Sequence, residues 1–80
     1  MTREEIFAQL TEIFQDVFDD DEIVLTDATT AEDIEDWDRL EQINLLVAIE
    51  KQFKIKFQLA DVNNLENVGD MADLVAKLIG

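Results

Sequence analysis

Eighty residues carry 20 Asp and Glu against 6 Lys and Arg, a formal charge of −14 at pH 7, and include no cysteine, histidine or serine. These absences exclude disulfide staples, thiolate metal sites and a cysteine nucleophile, and remove the commonest general base together with the serine nucleophile. Conventional hydrolase chemistry has almost nothing to stand on, and the negative field repels nucleic acid and anionic membranes while favouring partners with basic docking patches.

Hydrophobic residues make up 48% of the chain and charged residues 32%, which is a folding composition and not a disordered one. At this length folding buries only about 60–65% of the unfolded surface, so residues 1–80 are read as one domain with a tightly packed core. No apolar run approaches the roughly 20 residues of a membrane span. Met1-Thr2-Arg3-Glu4-Glu5 lacks a signal-peptide profile, and a cytoplasmic protein is expected.

In chain order, Ile6, Leu10, Ile13, Phe14 and Val17 recur at helical spacing, with Phe7 and Phe18 widening the stripe. Thr2 and Glu5 form a capping-box pattern, so the first helix starts near residue 3. From Asp19 to Asp36 the periodicity fades, which predicts a long structured loop anchored by Ile23, Leu25, Ile34 and Trp37. The second helix is expected from about Arg39 to Gln52, with Asp38 as N-cap and Glu41 completing a second capping box. Its apolar set of Leu40, Ile43, Leu45, Leu46, Val47, Ile49 and Phe53 is wider than one core face needs, so part of it is expected to stay exposed for a partner. Core packing is the expected role of Leu45, Leu46 and Ile49.

Beyond Lys54-Ile55-Lys56-Phe57, Leu59, Val62 and Leu65 suggest a short helix or turn. A last helix beginning near Asn67, with Asp70 at N3, carries the stripe Val68, Met71, Leu74, Val75, Leu78 and Ile79, and Gly80 closes the chain. The expected fold is all-α: a small four-helix bundle of three main helices and one short one, with the long loop between the first two.

The acidic run Asp19-Asp20-Asp21-Glu22 fails the EF-hand pattern. Ile23 stands at the third ligand position, Val24 replaces the glycine, and no glutamate follows at the twelfth. Asp61-Val62-Asn63-Asn64-Leu65 fails in the same way, and no metal site is expected.

Four fragments in order, Trp37-Asp38-x-Leu40, Ala48-Ile49-Glu50-x-x-Phe53, Ile55-x-Phe57 and Val68-Gly69-Asp70, within an acidic helical frame, resemble the acyl carrier proteins over nearly the whole chain. The resemblance implies a non-enzymatic carrier of acyl groups, held as phosphopantetheine thioesters, in fatty acid, polyketide or related biosynthesis. It also implies partners: a phosphopantetheinyl transferase and acyl-transferring or acyl-processing enzymes with basic docking patches. In that family an Asp-Ser-Leu triplet opens the second helix and its serine bears the arm. Here the triplet is Asp38-Arg39-Leu40.

Arg39 cannot replace that serine, because attachment needs an oxygen that ends as a phosphodiester and a guanidinium offers only donors. The chain is therefore expected to stay in the unmodified state, with phosphopantetheine reserved for a parent carrying serine at position 39. An introduced Ser→Arg replacement is the leading reading, and a natural carrier-like interaction module or regulatory subunit without the group is the alternative. As a cation in a first helical turn Arg39 is locally disfavoured, and Glu35, Asp36, Asp38 and Glu41 are expected to offset it. By the same resemblance the partner surface maps to Asp38, Leu40, Glu41, Asn44, Val47 and Glu50, with Asn44 and Lys51 standing where the family is often acidic. The high net charge disfavours close self-association at low salt, so a monomer is expected.

Overall fold

The computed structural model describes residues 1–34, 37–63 and 65–79. Glu35, Asp36, Asn64 and Gly80, each named above, lie outside the described residues. Four α-helices follow in order: α1 (Arg3–Phe18), α2 (Arg39–Phe53), α3 (Leu59–Asn63) and α4 (Val68–Ile79). Among the described residues there is no strand. The all-helical bundle expected from periodicity is what forms, with the second helix one residue longer than predicted.

α1 starts where its capping box places it. The Glu5 N–H donates to Thr2 Oγ1 at 3.2 Å, and the Thr2 N–H donates to Glu5 Oε1 at 3.0 Å. These two bonds satisfy two donors that the first turn leaves without helical partners. The helix ends at Asp19, which takes a left-handed conformation (φ 50°) and donates its N–H to the Gln15 carbonyl. Ile6, Leu10, Ile13, Phe14 and Phe18 are buried along one face. At roughly 1.5–3 kcal/mol for each fully buried side chain, this stripe contributes a large share of the favourable burial.

α1 packs against both α2 and α4. α2 contributes fully buried Leu45 and Ile49, while Leu46, Ala48 and Phe53 pack half-buried against the same core. α4 adds Val68, Met71, Ala72, Leu74 and Val75. Its start is capped by Asn67, whose Oδ1 accepts the Asp70 N–H at 2.8 Å. α3 buries no residue. The short helix suggested around Leu59, Val62 and Leu65 forms over Leu59–Asn63, and Leu59, which opens it, is 78% exposed.

The α1–α2 connection is anchored as the sequence suggests, with Ile23, Leu25, Ile34 and Trp37 half-buried against the core. Polar contacts fix its path. Gln15 Nε2 donates to the Asp21 and Ile23 carbonyls at 3.2 and 3.1 Å, and the Thr26 N–H donates to the buried Thr29 hydroxyl at 2.9 Å. The loop is also tied to α4, because the Val68 N–H donates to the Thr29 carbonyl at 2.8 Å and the Gly69 N–H to the Asp27 carbonyl at 3.0 Å. The Arg3 guanidinium donates to both Asp27 and Asp73, joining the start of α1, the loop and α4.

Candidate functional site

The N-terminus of α2 is built from the loop side. Trp37 meets the Phe14 ring in a T-shaped contact (centroids 5.2 Å apart, planes at 86°), and its centroid stands 6.3 Å from that of Phe18. Its indole N–H donates to Gln42 Oε1 on the first turn of α2. This anchor fixes the chain one residue before the cap. Asp38 is extended, and its Oδ1 accepts the Glu41 N–H at 2.8 Å, a cap that contributes about 1 kcal/mol. The described bonds show this half of the expected capping box, and not the return bond from Glu41. Position 39 is therefore the first helical residue, held by a capped backbone and exposed to solvent.

Arg39 makes no ion pair among the described residues, where both ion pairs belong to Arg3. Two of the acids expected to offset its charge, Glu35 and Asp36, lie outside those residues. The Arg39 side chain borders two concavities. One, of about 300 Å³, is shared with Ala31, Trp37, Asp38 and Gln42. The other, of about 730 Å³, lies between α2 and α3 and is lined mainly by apolar groups, among them Ile43, Leu46, Val47, Phe57 and Leu59. Neither lining includes a hydroxyl or a thiol. The residues around position 39 therefore do not fit covalent attachment of a phosphopantetheine arm.

The remaining residues assigned to a partner surface fall into two sets. Leu40 and Val47 are 66% and 44% exposed, and Asn44 is exposed beside them. Asp38 is exposed at the helix start, whereas Glu41 is half-buried beside Val17 and Phe18 at the end of α1. Glu50 is half-buried and accepts the Phe57 N–H at 2.8 Å, so it holds the segment leaving α2 as well as bordering the α2–α3 concavity. Two exposed apolar residues join this surface that were not assigned to it from sequence: Ile43, 55% exposed, and Leu59. The excess breadth of the α2 apolar set was the available signal for Ile43. Nothing local marked Leu59, whose exposure depends on where α3 is laid down.

Among the described residues no cluster of three or more His, Cys, Asp or Glu is placed to hold a metal ion. No helix among them is long and apolar enough to cross a membrane.

No protein-family model matches the chain. Among curated proteins, an acyl carrier protein of Thermotoga maritima is 29% identical over 79 residues, covering 99% of this chain and 98% of the relative. An acyl carrier protein of Petrotoga mobilis is 30% identical over 79 residues, covering 96% of this chain and 91% of the relative. Among solved structures, the solution structure of a holo acyl carrier protein from Geobacter metallireducens superposes with a TM-score of 0.87 at 53% identity, covering 91% of this chain and 84% of that one. With two relatives aligned nearly end to end and a solved carrier sharing both the helical architecture and half of the residues, the chain belongs to the acyl carrier protein family.

Proposed function

We propose that this chain is a carrier scaffold arrested in the unmodified state. It presents the docking surface of an acyl carrier to a phosphopantetheinyl transferase and to acyl-processing enzymes, but takes no arm of its own. The observation that carries this reading is the placement of Arg39. It stands exposed at the first position of α2, after the Asp38 cap and before Leu40, where the family resemblance places the attachment serine. A guanidinium is not an acceptor and carries no oxygen to be phosphorylated. None of the five threonines, Thr2, Thr11, Thr26, Thr29 and Thr30, lines either concavity beside it.

The cargo-bearing role, with acyl groups carried in fatty acid, polyketide or related biosynthesis, then belongs to a parent with serine at position 39. The same absence of a serine supports a second reading, a natural interaction module or regulatory subunit that uses the carrier fold without a prosthetic group. Intact-mass measurement after incubation with coenzyme A and a phosphopantetheinyl transferase tests the proposal. The chain is expected to gain no mass, and Arg39→Ser to gain one phosphopantetheine. A folded Arg39→Ser variant that stays unmodified would remove the main support for the arrested-carrier reading and favour the second.

A further inference from the structure

The outward face of α2 changes character along its length. Asp38 is exposed at its N-terminal end, with Glu41 half-buried behind it toward the end of α1, and Leu40, Ile43 and Val47 make an exposed apolar middle. Lys51 and the C-cap Lys54 continue the same stripe, since successive spacings of three and four residues return to one side of a helix. Lys56 follows in the segment that leaves the helix.

Half of the chain's 6 basic residues thus fall between positions 51 and 56. All three lysines are exposed, and among the described residues none forms an ion pair, although the chain has 20 acids to choose from. They border a concavity of about 440 Å³ whose one carboxylate, Glu50, is already bonded to the Phe57 N–H. The helix dipole accounts for a cation at Lys51 in the last turn; it does not account for Lys56, which lies beyond the helix. A basic cluster that ignores its own chain's excess of acid, at one end of an exposed apolar stripe, is placed to meet acid from outside.

We infer that α2 docks as a surface of two opposite charges. The partner enzyme presents a basic patch to Asp38, with half-buried Glu41 adding its charge from behind, an apolar strip to Ile43 and Val47, and an acidic patch about 20 Å further along the helix to Lys51, Lys54 and Lys56. The inference rests on the reading of α2 as the docking face given above, and extends it by fixing direction. A uniformly acidic helix can meet a basic surface either way round. This one, turned end for end, sets its three exposed lysines against the partner's basic patch, a clash greater than any at the N-terminal end, where Arg39 stands beside Asp38. A second copy of the chain is a poorer occupant than an enzyme, because each copy carries −14.

Calorimetric titration of the unmodified chain into the phosphopantetheinyl transferase encoded by the same genome tests this directly, with far-UV circular dichroism confirming that each variant is folded. Combining Lys51→Glu, Lys54→Glu and Lys56→Glu is expected to raise Kd roughly tenfold, and the corresponding three Gln replacements roughly threefold, with both differences shrinking as salt is added. An unchanged or lower Kd, which a uniformly basic partner surface would produce because the variant is more acidic, overturns the inference. Ile43→Glu serves as the separate check on the docking face. If it weakens binding while the lysine variants do not, only the charge assignment fails. If neither weakens binding, or the parent chain does not bind, the docking reading fails with it. A dimer of the free chain that the lysine reversals dissociate would assign the cluster to a second copy and also overturn the inference.

Discussion

Gly69 and Asp27 touch backbone to backbone. The Gly69 N–H donates to the Asp27 carbonyl at 3.0 Å, and a Cβ on Gly69 would stand 2.8 Å from that same oxygen. Glycine is otherwise a poor choice inside α4, where alanine is favoured by about 1 kcal/mol. Gly69→Ala is nevertheless expected to destabilise the fold by about 1–2 kcal/mol, because the methyl group must displace a main-chain atom that is itself bonded. Thermal denaturation checks this, with a fall of several degrees expected; a Tm equal to or above that of the parent chain would show that the loop yields without cost.

Arg3 reaches the same loop from the other side. Its guanidinium donates to Asp27 and Asp73, whose side chains are 70% and 67% exposed, and lies 5.3 Å from the centre of the Phe7 ring. The hydrogen bond to Asp27, and then that to Asp73, hold its pKa above that of an ordinary guanidinium. A raised pKa of this kind contributes stability that is present across the acid and neutral range, as far as its carboxylate partners stay ionised, and is lost only in strong alkali. Arg3→Gln should therefore lower Tm at low ionic strength at neutral pH. The gap should narrow in about 1 M salt, where the screening length falls to roughly 3 Å. A gap independent of salt would assign the effect to packing on Phe7.

The capping box supplies an acid-range prediction. Glu5 is held below the usual carboxylate range, first by the Thr2 backbone N–H that it accepts and then by the Thr2 side chain. A depressed pKa stabilises the folded state above the ordinary glutamate value of about 4.3 and loses that contribution as pH falls through the lowered value. Glu5→Gln keeps an acceptor oxygen and removes the charge. Urea denaturation of both proteins at a series of pH values should give a constant difference near neutrality that closes on the acid side.

The two sides of α2 should separate in one pair of variants. Ile49, fully buried, is expected to cost about 2–5 kcal/mol when cut to alanine. Ile43, 55% exposed on the outward side, is expected to stay within about 0.5 kcal/mol of the parent under the same substitution. Urea midpoints compare them directly, and a comparable loss at Ile43 would show that α3 closes over it in solution.

Much of the bundle was legible in the sequence because its signals are local. Thr2 and Glu5 marked the start of α1, Asp38 marked the start of α2, and the three- and four-residue spacing of Ile6, Leu10 and Ile13 gave the buried face. The exposed stripe was readable from excess, since α2 has more apolar residues than one core face accepts. Contacts that join distant segments were not readable. Glu50 reads as a surface acid by position, and only the return of the chain at Phe57 gives it a backbone donor. The bonds of Arg3 to Asp27 and Asp73 span 24 and 70 residues, and no spacing rule brings them together. The lysines at 51, 54 and 56 were visible as letters, but their exposure and their lack of internal partners are properties of the packed chain.

The splice between the loop and α4 also has a kinetic consequence. The first amides of a helix have no helical carbonyl to receive them and ordinarily exchange quickly with solvent. Here the amides of Val68 and Gly69 are received by Thr29 and Asp27, so their protons are sheltered by a segment some forty residues away in the chain. Their exchange with deuterium is then a clock for the lifting of that loop from the body of the protein, read at two positions that belong to a different element.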